Sequence, residues 1–153
     1  MSVIEKSIDL NVPVRTAYNQ WTQFEDFPRF MEGIEHVHQI DAKHLHWKAT
    51  IGGKQQEWDA EITEQVPDQR IAWRSQHGAK NEGIVIFSPV TEGKSKINLR
   101  IDFEPQGVVE KTGDVVGVVS QRVEGDLKRF KEFIESRGHE TGAWRGNVDA
   151  SSR

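Results

Sequence analysis

Two His-x-His pairs on neighbouring predicted strands are the groups in this sequence whose spacing suits metal binding. Imidazole and carboxylate side chains on one side of a sheet are ligands that suit zinc, copper or nickel. Side chains alternate along a strand, so both pairs point to one side, together with two carboxylates of the next strand. The predicted facing pairs are His38 with His44, His36 with His46, Asp59 with His46, and Glu61 with His44.

We call this set of histidines and carboxylates the histidine face. It lies on the side of the predicted sheet away from three core tryptophans, so we expect it to face solvent. Nothing in the sequence pattern supplies an outer layer of side chains that would enclose a metal there. We therefore predict that the protein binds no metal and needs no cofactor.

Asp126 is a carboxylate that falls inside the apolar stripe of a long predicted helix. A buried carboxylate can act as a general base or anchor a ligand, because burial raises its pKa toward neutrality. The alternative is an ion pair with Arg122 or Arg129, which lie four residues before it and three residues after it. We favour the ion pair and keep Asp126 as the catalytic candidate behind it.

Other chemistry is excluded by what the sequence lacks. The 153 residues contain no cysteine, which excludes a disulfide, a thiolate metal site and a thiol nucleophile. There is no Gly-x-Ser-x-Gly, His-Glu-x-x-His, phosphate-binding glycine loop or dinucleotide fingerprint. A net charge of −4 argues against nucleic-acid binding. No apolar run reaches membrane-spanning length and no signal peptide is recognisable, so we expect a cytoplasmic protein without an integral membrane segment.

A long amphipathic helix, predicted from Glu110 to Arg137, must organise the fold that positions these groups. Gly138 follows it, as is common at a helix end. Its first half carries Gly113, Gly117 and several valines, which indicate either a slim helix beside something else or a buried segment that tolerates poor helix formers. At about 100° per residue, one side of the helix collects the apolar residues. They are Val115, Val116, Val119, Val123, Leu127, Phe130, Phe133 and Ile134.

The rest of the chain predicts a meandering sheet. A strand at Ser2–Leu10, a helix that begins at Pro13 and an aromatic segment at 24–31 precede about six further strands. An antiparallel sheet with one apolar face needs a cover, and only the C-terminal helix is long enough. The predicted fold class is therefore α+β, with a curved antiparallel sheet of about seven strands wrapped around the long helix. We expect a cleft between them, near the short helices.

Three tryptophans are expected on the covered face of this sheet. Gly52-Gly53 is a two-residue hairpin signal that pairs Trp47 with Trp58, and Trp73 on the following strand points the same way. A buried indole N–H usually has a hydrogen-bond partner, so three such rings favour a cavity with polar lining over a dry core.

The residues after the helix form a polar segment at 139–153, and the predicted domain spans 1–138. We expect this tail to dock on its own domain. Ile84 and Ile86 alternate with inward-facing residues and leave an apolar spot outside, which Trp144 and Arg145 are expected to cover.

Five segments are distinctive: NVP at 11–13, FEDFPRFM at 24–31, EWDAEI at 57–62, DLKRFK at 126–131 and ETGAWRG at 140–146. Together with the order of elements, they resemble the polyketide cyclase/dehydrase-like branch of the START (SRPBCC, helix-grip) superfamily. The resemblance covers essentially the whole chain. It implies a helix-grip fold that holds lipids, quinones, polyketides or other apolar molecules between sheet and long helix, as a cyclase, a carrier, a sensor or a chaperone-like partner. It implies no catalytic residue.

We therefore predict binding or carriage of a hydrophobic small molecule, such as a lipid, a quinone or a polyketide-like compound, in this cleft. One alternative is a cyclase or dehydratase that acts in the same cleft, and another is an interaction module that uses the tail. Whether the protein is an enzyme stays open, as does its oligomeric state. The predicted cavity walls are Trp47, Trp58, Trp73, Phe87, Val115 and Val119, with Phe27, Phe30 and Met31 near the mouth.

Overall fold

The computed structural model of the protein describes residues 2–51, 53–78, 80–104 and 115–148. No helix among these residues has the length and apolar character needed to cross a membrane. The elements in chain order are β1 (Ser2–Leu10), α1 (Val14–Trp21), a 3-10 helix (Phe24–Arg29), β2 (Ile34–Gln39), β3 (His44–Ile51), β4 (Lys54–Val66), β5 (Arg70–Gly78), β6 (Asn81–Thr91), β7 (Lys94–Phe103) and α2 (Val115–Arg137).

The seven strands form one antiparallel sheet in the order β1-β7-β6-β5-β4-β3-β2. Consecutive strands from β2 to β7 are neighbours, and β1 closes the far edge by pairing with β7. Both helices and the 3-10 helix pack on one side, which we call the inner face. This is the α+β architecture that the sequence predicts, with two short helices after the first strand and one long C-terminal helix.

The long helix α2 buries one stripe against the inner face. Val123, Leu127, Phe130 and Ile134 recur at helical spacing and are at most 7% exposed. The helix ends at Gly138, whose φ of 78° and N–H bond to the Ile134 carbonyl form a left-handed cap. The predicted start at residue 110 lies outside the described residues, as does Gly113.

The β3–β4 hairpin has the predicted register. Trp47 faces Trp58, His46 faces Asp59 and His44 faces Glu61. The two-residue loop fixes this pairing, since it leaves no freedom to slide one strand along the other.

The predicted β2–β3 register is wrong by two residues. His38 faces His46 instead of His44, and His36 faces Lys48 instead of His46. The cause is the turn between β2 and β3. In this turn the Asp41 carboxylate accepts hydrogen bonds from the backbone N–H groups of Lys43 and His44, which moves the paired residues of β3 two positions along the chain. A shift by two residues preserves the alternation, so the histidines still share one side of the sheet.

The three tryptophans share the inner face, as predicted. Ile62 of β4 faces Trp73 of β5, and irregular pairing on either side bends these two strands. The buried core of the inner face continues through Val85 and Phe87 of β6 to Ile97 and Leu99 of β7. Ile86 points outward and is 40% exposed.

The described part of the tail docks on the domain, as expected, but at a different place. Glu140 accepts a bond from Asn19 of α1 at 2.8 Å, Thr141 bonds Gln20 and Asp26, and the Trp144 N–H donates to the Thr22 hydroxyl. Val148 then forms an antiparallel bridge with Gln65 of β4.

Arg145 is the central side chain of this docking. It donates to Asn19 at 2.6 Å and to Asp68 at 2.8 Å, and its guanidinium lies 5.6 Å from the Tyr18 ring centre. The expected cover over Ile84 and Ile86 is therefore wrong. The buried polar side chains of α1 attract the tail because they need hydrogen-bond partners, which the isoleucine spot cannot offer.

Candidate ligand-binding cleft

Trp47 and Trp58 form a flat aromatic pair on the inner face of the sheet. Their ring centres are 5.7 Å apart and their planes differ by 9°, because the hairpin places them directly opposite each other. Phe27 of the 3-10 helix lies against Trp47 at 5.6 Å. Both tryptophans are half-buried, so the pair offers a planar apolar surface beside the core.

The 3-10 helix inserts its aromatic rings between this pair and α2. Phe27 and Phe30 are 2% and 4% exposed, and Phe30 contacts Phe130 and Phe133 of α2 at 5.3 Å and 5.1 Å. Met31 is half-buried and packs against the same core. That these three residues border the mouth of a cavity stays a prediction.

Trp73 lies on the same face, farther along the sheet. Its indole N–H donates to the Asn81 side chain at 3.1 Å, and its ring covers Gly83 of the facing strand. A Cβ at Gly83 would stand 2.6 Å from that ring, so the glycine makes the close approach feasible. Trp73 therefore has a polar partner within the protein.

The remaining predicted wall residues lie apart from the tryptophan pair. Phe87 is buried against Tyr18 and Trp21 of α1 at 5.2 Å and 6.2 Å. Trp21 in turn contacts Phe27, which links the two groups. Val119 is half-buried against the core, and the side chain of Val115 lies outside the described residues.

Asp126 ties α2 to the loop after the 3-10 helix. Its carboxylate accepts bonds from the Arg129 guanidinium and from the Glu32 N–H, the latter at 3.0 Å. The predicted ion pair with Arg129 is therefore present. Burial raises the pKa of Asp126 from 3.8 to about 6, and the bonds from Arg129 and Glu32 offset part of that rise.

Two arginines complete what we call the helix–loop clamp, formed by Asp126, Arg122 and Arg129 with residues 30–33. Arg129 donates to the Phe30 carbonyl at 2.9 Å, and Arg122 donates to the Glu32 carbonyl at 2.9 Å. Gly33 has a φ of 86°, and a Cβ there would stand 2.6 Å from the backbone carbonyl of Thr50 and would also clash with the Arg122 guanidinium. The sequence analysis missed this role of Gly33, which the glycine between a polar turn and a strand could have signalled.

The histidine face lies on the side of the sheet opposite the tryptophans. The ring nitrogens of His46 lie 2.7 Å from the Asp59 carboxylate and 2.9 Å from the Glu57 carboxylate, so both nitrogens are engaged. These two bonds, the one to Asp59 first, raise the pKa of His46 above its usual range. No group of three potential metal ligands is arranged to hold an ion within the described ranges. The absence of a bound metal stays a prediction.

A separate groove of 310 Å³ lies on the outer face of β4–β7. Arg74 and Arg100 border it, each about half exposed and paired with a carboxylate. Such a charged surface does not suit the apolar ligand that the sequence predicts, and the inner face remains the candidate site.

Residues 10–132 match the family described as polyketide cyclase / dehydrase and lipid transport. Because this match covers most of the chain, the protein belongs to that family. Its fold is the helix-grip fold that the resemblance implies.

Individual proteins are similar to this chain in sequence or in fold. An uncharacterized 17.2 kDa protein of Streptomyces lincolnensis is 51% identical over 97% of this chain and 99% of its own length. The crystal structure of the Zhui aromatase/cyclase from Streptomyces sp. R1128 is similar in fold, with a TM-score of 0.75, 13% identity and coverage of 94% and 99% of the two chains. A START superfamily protein from Mycobacterium smegmatis has a TM-score of 0.72, 15% identity and coverage of 86% and 98%.

Proposed function

We propose that this protein binds and carries a hydrophobic small molecule between the inner face of the sheet and the first half of α2. The observation that carries the proposal is the stacked, half-buried Trp47–Trp58 pair beside Phe27. Family membership supports the same reading, because the family description includes lipid transport. Apolar surface of a ligand gains ~25 cal/mol for each Å² removed from water, so affinity should follow ring count or chain length more than charge.

Carriage is favoured over catalysis by the contacts of Asp126. A pKa of about 6 suits a general base at neutral pH. The Asp126 carboxylate, however, accepts hydrogen bonds from Arg129 and from the Glu32 N–H. It is therefore engaged in the helix–loop clamp. A cyclase or dehydratase would need this group, or another acid or base, turned toward the substrate. The role as an interaction module is likewise disfavoured, because Arg145 of the tail is engaged within the chain.

The test is uptake of a fluorescent long-chain fatty acid by two matched variants. Val119 is half-buried and packs against the core, whereas its neighbour Val118 is 42% exposed. Val119→Trp should fill the space beside the sheet and abolish uptake. Val118→Trp adds the same ring outside the cleft and should bind like the wild type.

Circular dichroism would establish that both variants keep the native secondary structure. Unchanged uptake by folded Val119→Trp, or equal losses in both variants, would contradict a site beside the first half of α2.

A further inference from the structure

The indole N–H of Trp47 is buried, and no described residue accepts a hydrogen bond from it. Trp73, on the same face of the sheet, shows the contrasting arrangement, since its N–H donates to Asn81 at 3.1 Å. A buried donor without a partner costs free energy, and native structures rarely leave one unpaired. The indole N–H of Trp47 is therefore a donor that can bind an acceptor outside the described residues.

The surroundings of Trp47 restrict what that partner can be. Phe27 lies 5.6 Å from its ring, Trp58 is stacked on it, and Leu45 and Ala49 on the same side of β3 are buried. A trapped water molecule needs two to four polar partners, and these side chains supply none. An ionised group would lose its hydration in such surroundings without a counter-charge. A neutral acceptor carried by a ligand fits both constraints.

The flat pair adds a second constraint on shape. Parallel rings 5.7 Å apart at the edge of the core present a planar face, which suits a planar ligand better than a flexible chain. An acceptor in or on the ring system would then approach the indole N–H of Trp47 from within the cleft. Neither the planar shape of the ligand nor its hydrogen-bond acceptor requires a charged residue of the protein.

We propose that Trp47 determines specificity by donating its indole N–H to a carbonyl oxygen on a planar, uncharged ligand. This inference rests on the proposed function and narrows its ligand class to ring ketones, quinones and similar carbonyl compounds. Hydrocarbons of the same shape bind less tightly because they leave the donor unpaired.

Fluorenone and fluorene are suitable probes, because they share one planar frame and differ by a single carbonyl group. Isothermal titration calorimetry of the wild type should give roughly tenfold tighter binding of fluorenone, the usual scale for pairing one buried donor. Trp47→Phe should bind the two probes equally, within about a factor of two. Trp144→Phe is the matched control, since it removes an indole that lies in the tail and is 36% exposed, and it should retain the preference for fluorenone.

Nuclear magnetic resonance gives an independent readout on the unmodified protein, whose five tryptophans give five indole N–H signals. Fluorenone should move the Trp47 signal downfield, and fluorene should not. Equal affinities for the two probes in the wild type, or a preference that survives in Trp47→Phe, would overturn this inference and leave the proposed function standing. Failure of the wild type to bind either probe would also overturn this inference, whereas the proposed function is decided by the fatty-acid uptake of Val119→Trp and Val118→Trp.

Discussion

Asp126→Asn is expected to stabilise the protein above pH 6 and to have little effect below about pH 4. The Asp126 side chain is 13% exposed, and its burial raises the pKa from 3.8 to about 6 even though Arg129 and the Glu32 N–H bond the charged form. Asparagine resembles the protonated carboxyl group in size and keeps an acceptor for the Glu32 N–H. It therefore removes the cost of burying a charge.

The sign of the effect follows from proton linkage. A raised pKa means that the folded protein holds the Asp126 proton more tightly than the unfolded chain does. As the pH rises from about 4 to 6 the unfolded chain loses this proton first, so the free energy of unfolding falls. A shift of about two pKa units corresponds to about 3 kcal/mol, which the asparagine variant should largely recover at pH 7.5.

Glu135→Gln on the same helix is the matched control with the opposite sign. Burial acts to raise the pKa of Glu135, but the bonds from Lys131 and the Asn11 N–H outweigh it and lower the pKa. This carboxylate therefore stabilises the fold above the pKa of the unfolded chain, and that contribution disappears as the pH falls through the lower folded value. Its replacement should cost about 0.5–1 kcal/mol at neutral pH.

Urea denaturation of the wild type and both variants at pH 7.5 and pH 3.5, at constant ionic strength, measures these differences. Lower stability of Asp126→Asn than of the wild type at pH 7.5 would refute the reasoning. It would mean that the ion pair with Arg129 outweighs the burial of the carboxylate, and that the clamp needs the charge.

Two further predictions concern the tail and the histidine face. Arg145→Ala should lower the free energy of unfolding by about 1–3 kcal/mol, because Asn19 and Asp68 lose a charged partner. Truncation after Gly138 should lower the melting temperature further. Unchanged melting curves for both variants would contradict the docking of the tail. Elemental analysis after dialysis should find no stoichiometric zinc, copper or nickel, since both ring nitrogens of His46 are engaged by carboxylates; one tightly held metal per chain that is lost in a His36→Ala/His46→Ala variant would contradict this.

The parts of the fold that the sequence predicts correctly are those set by local rules. The two-residue loop at Gly52-Gly53 fixes the pairing of Trp47 with Trp58, and helical periodicity identifies the stripe that α2 buries. The ion pair of Asp126 with Arg129 follows from a three-residue spacing on one helix.

The parts that the sequence did not predict depend on contacts between distant segments. The Asp126 carboxylate bonds the backbone of Glu32, which is 94 residues away, and no spacing rule anticipates such a pair. The predicted position of the tail is wrong because the prediction relies on the apolar spot at Ile84 and Ile86. Buried polar residues of α1, such as Asn19 and Gln20, needed partners and were the better signal.

The sequence predicts which face of the sheet carries the three tryptophans, but it does not predict how each indole N–H is paired. Trp47, Trp58 and Trp73 share the inner face because side chains alternate along strands. The indole N–H of Trp73 is paired because Asn81 lies next to it. The indole N–H of Trp47 has no such acceptor among the described residues. Tertiary placement of single polar groups of this kind is beyond pattern analysis.

Native mass spectrometry of gently purified protein, before and after incubation with a mixture of lipids and quinones, tests the central claim most directly. We expect one small molecule bound per chain in the wild type and in Val118→Trp, and none in Val119→Trp. A bare mass for the wild type under both conditions, or the same adduct on Val119→Trp, would contradict a hydrophobic ligand site between the sheet and α2.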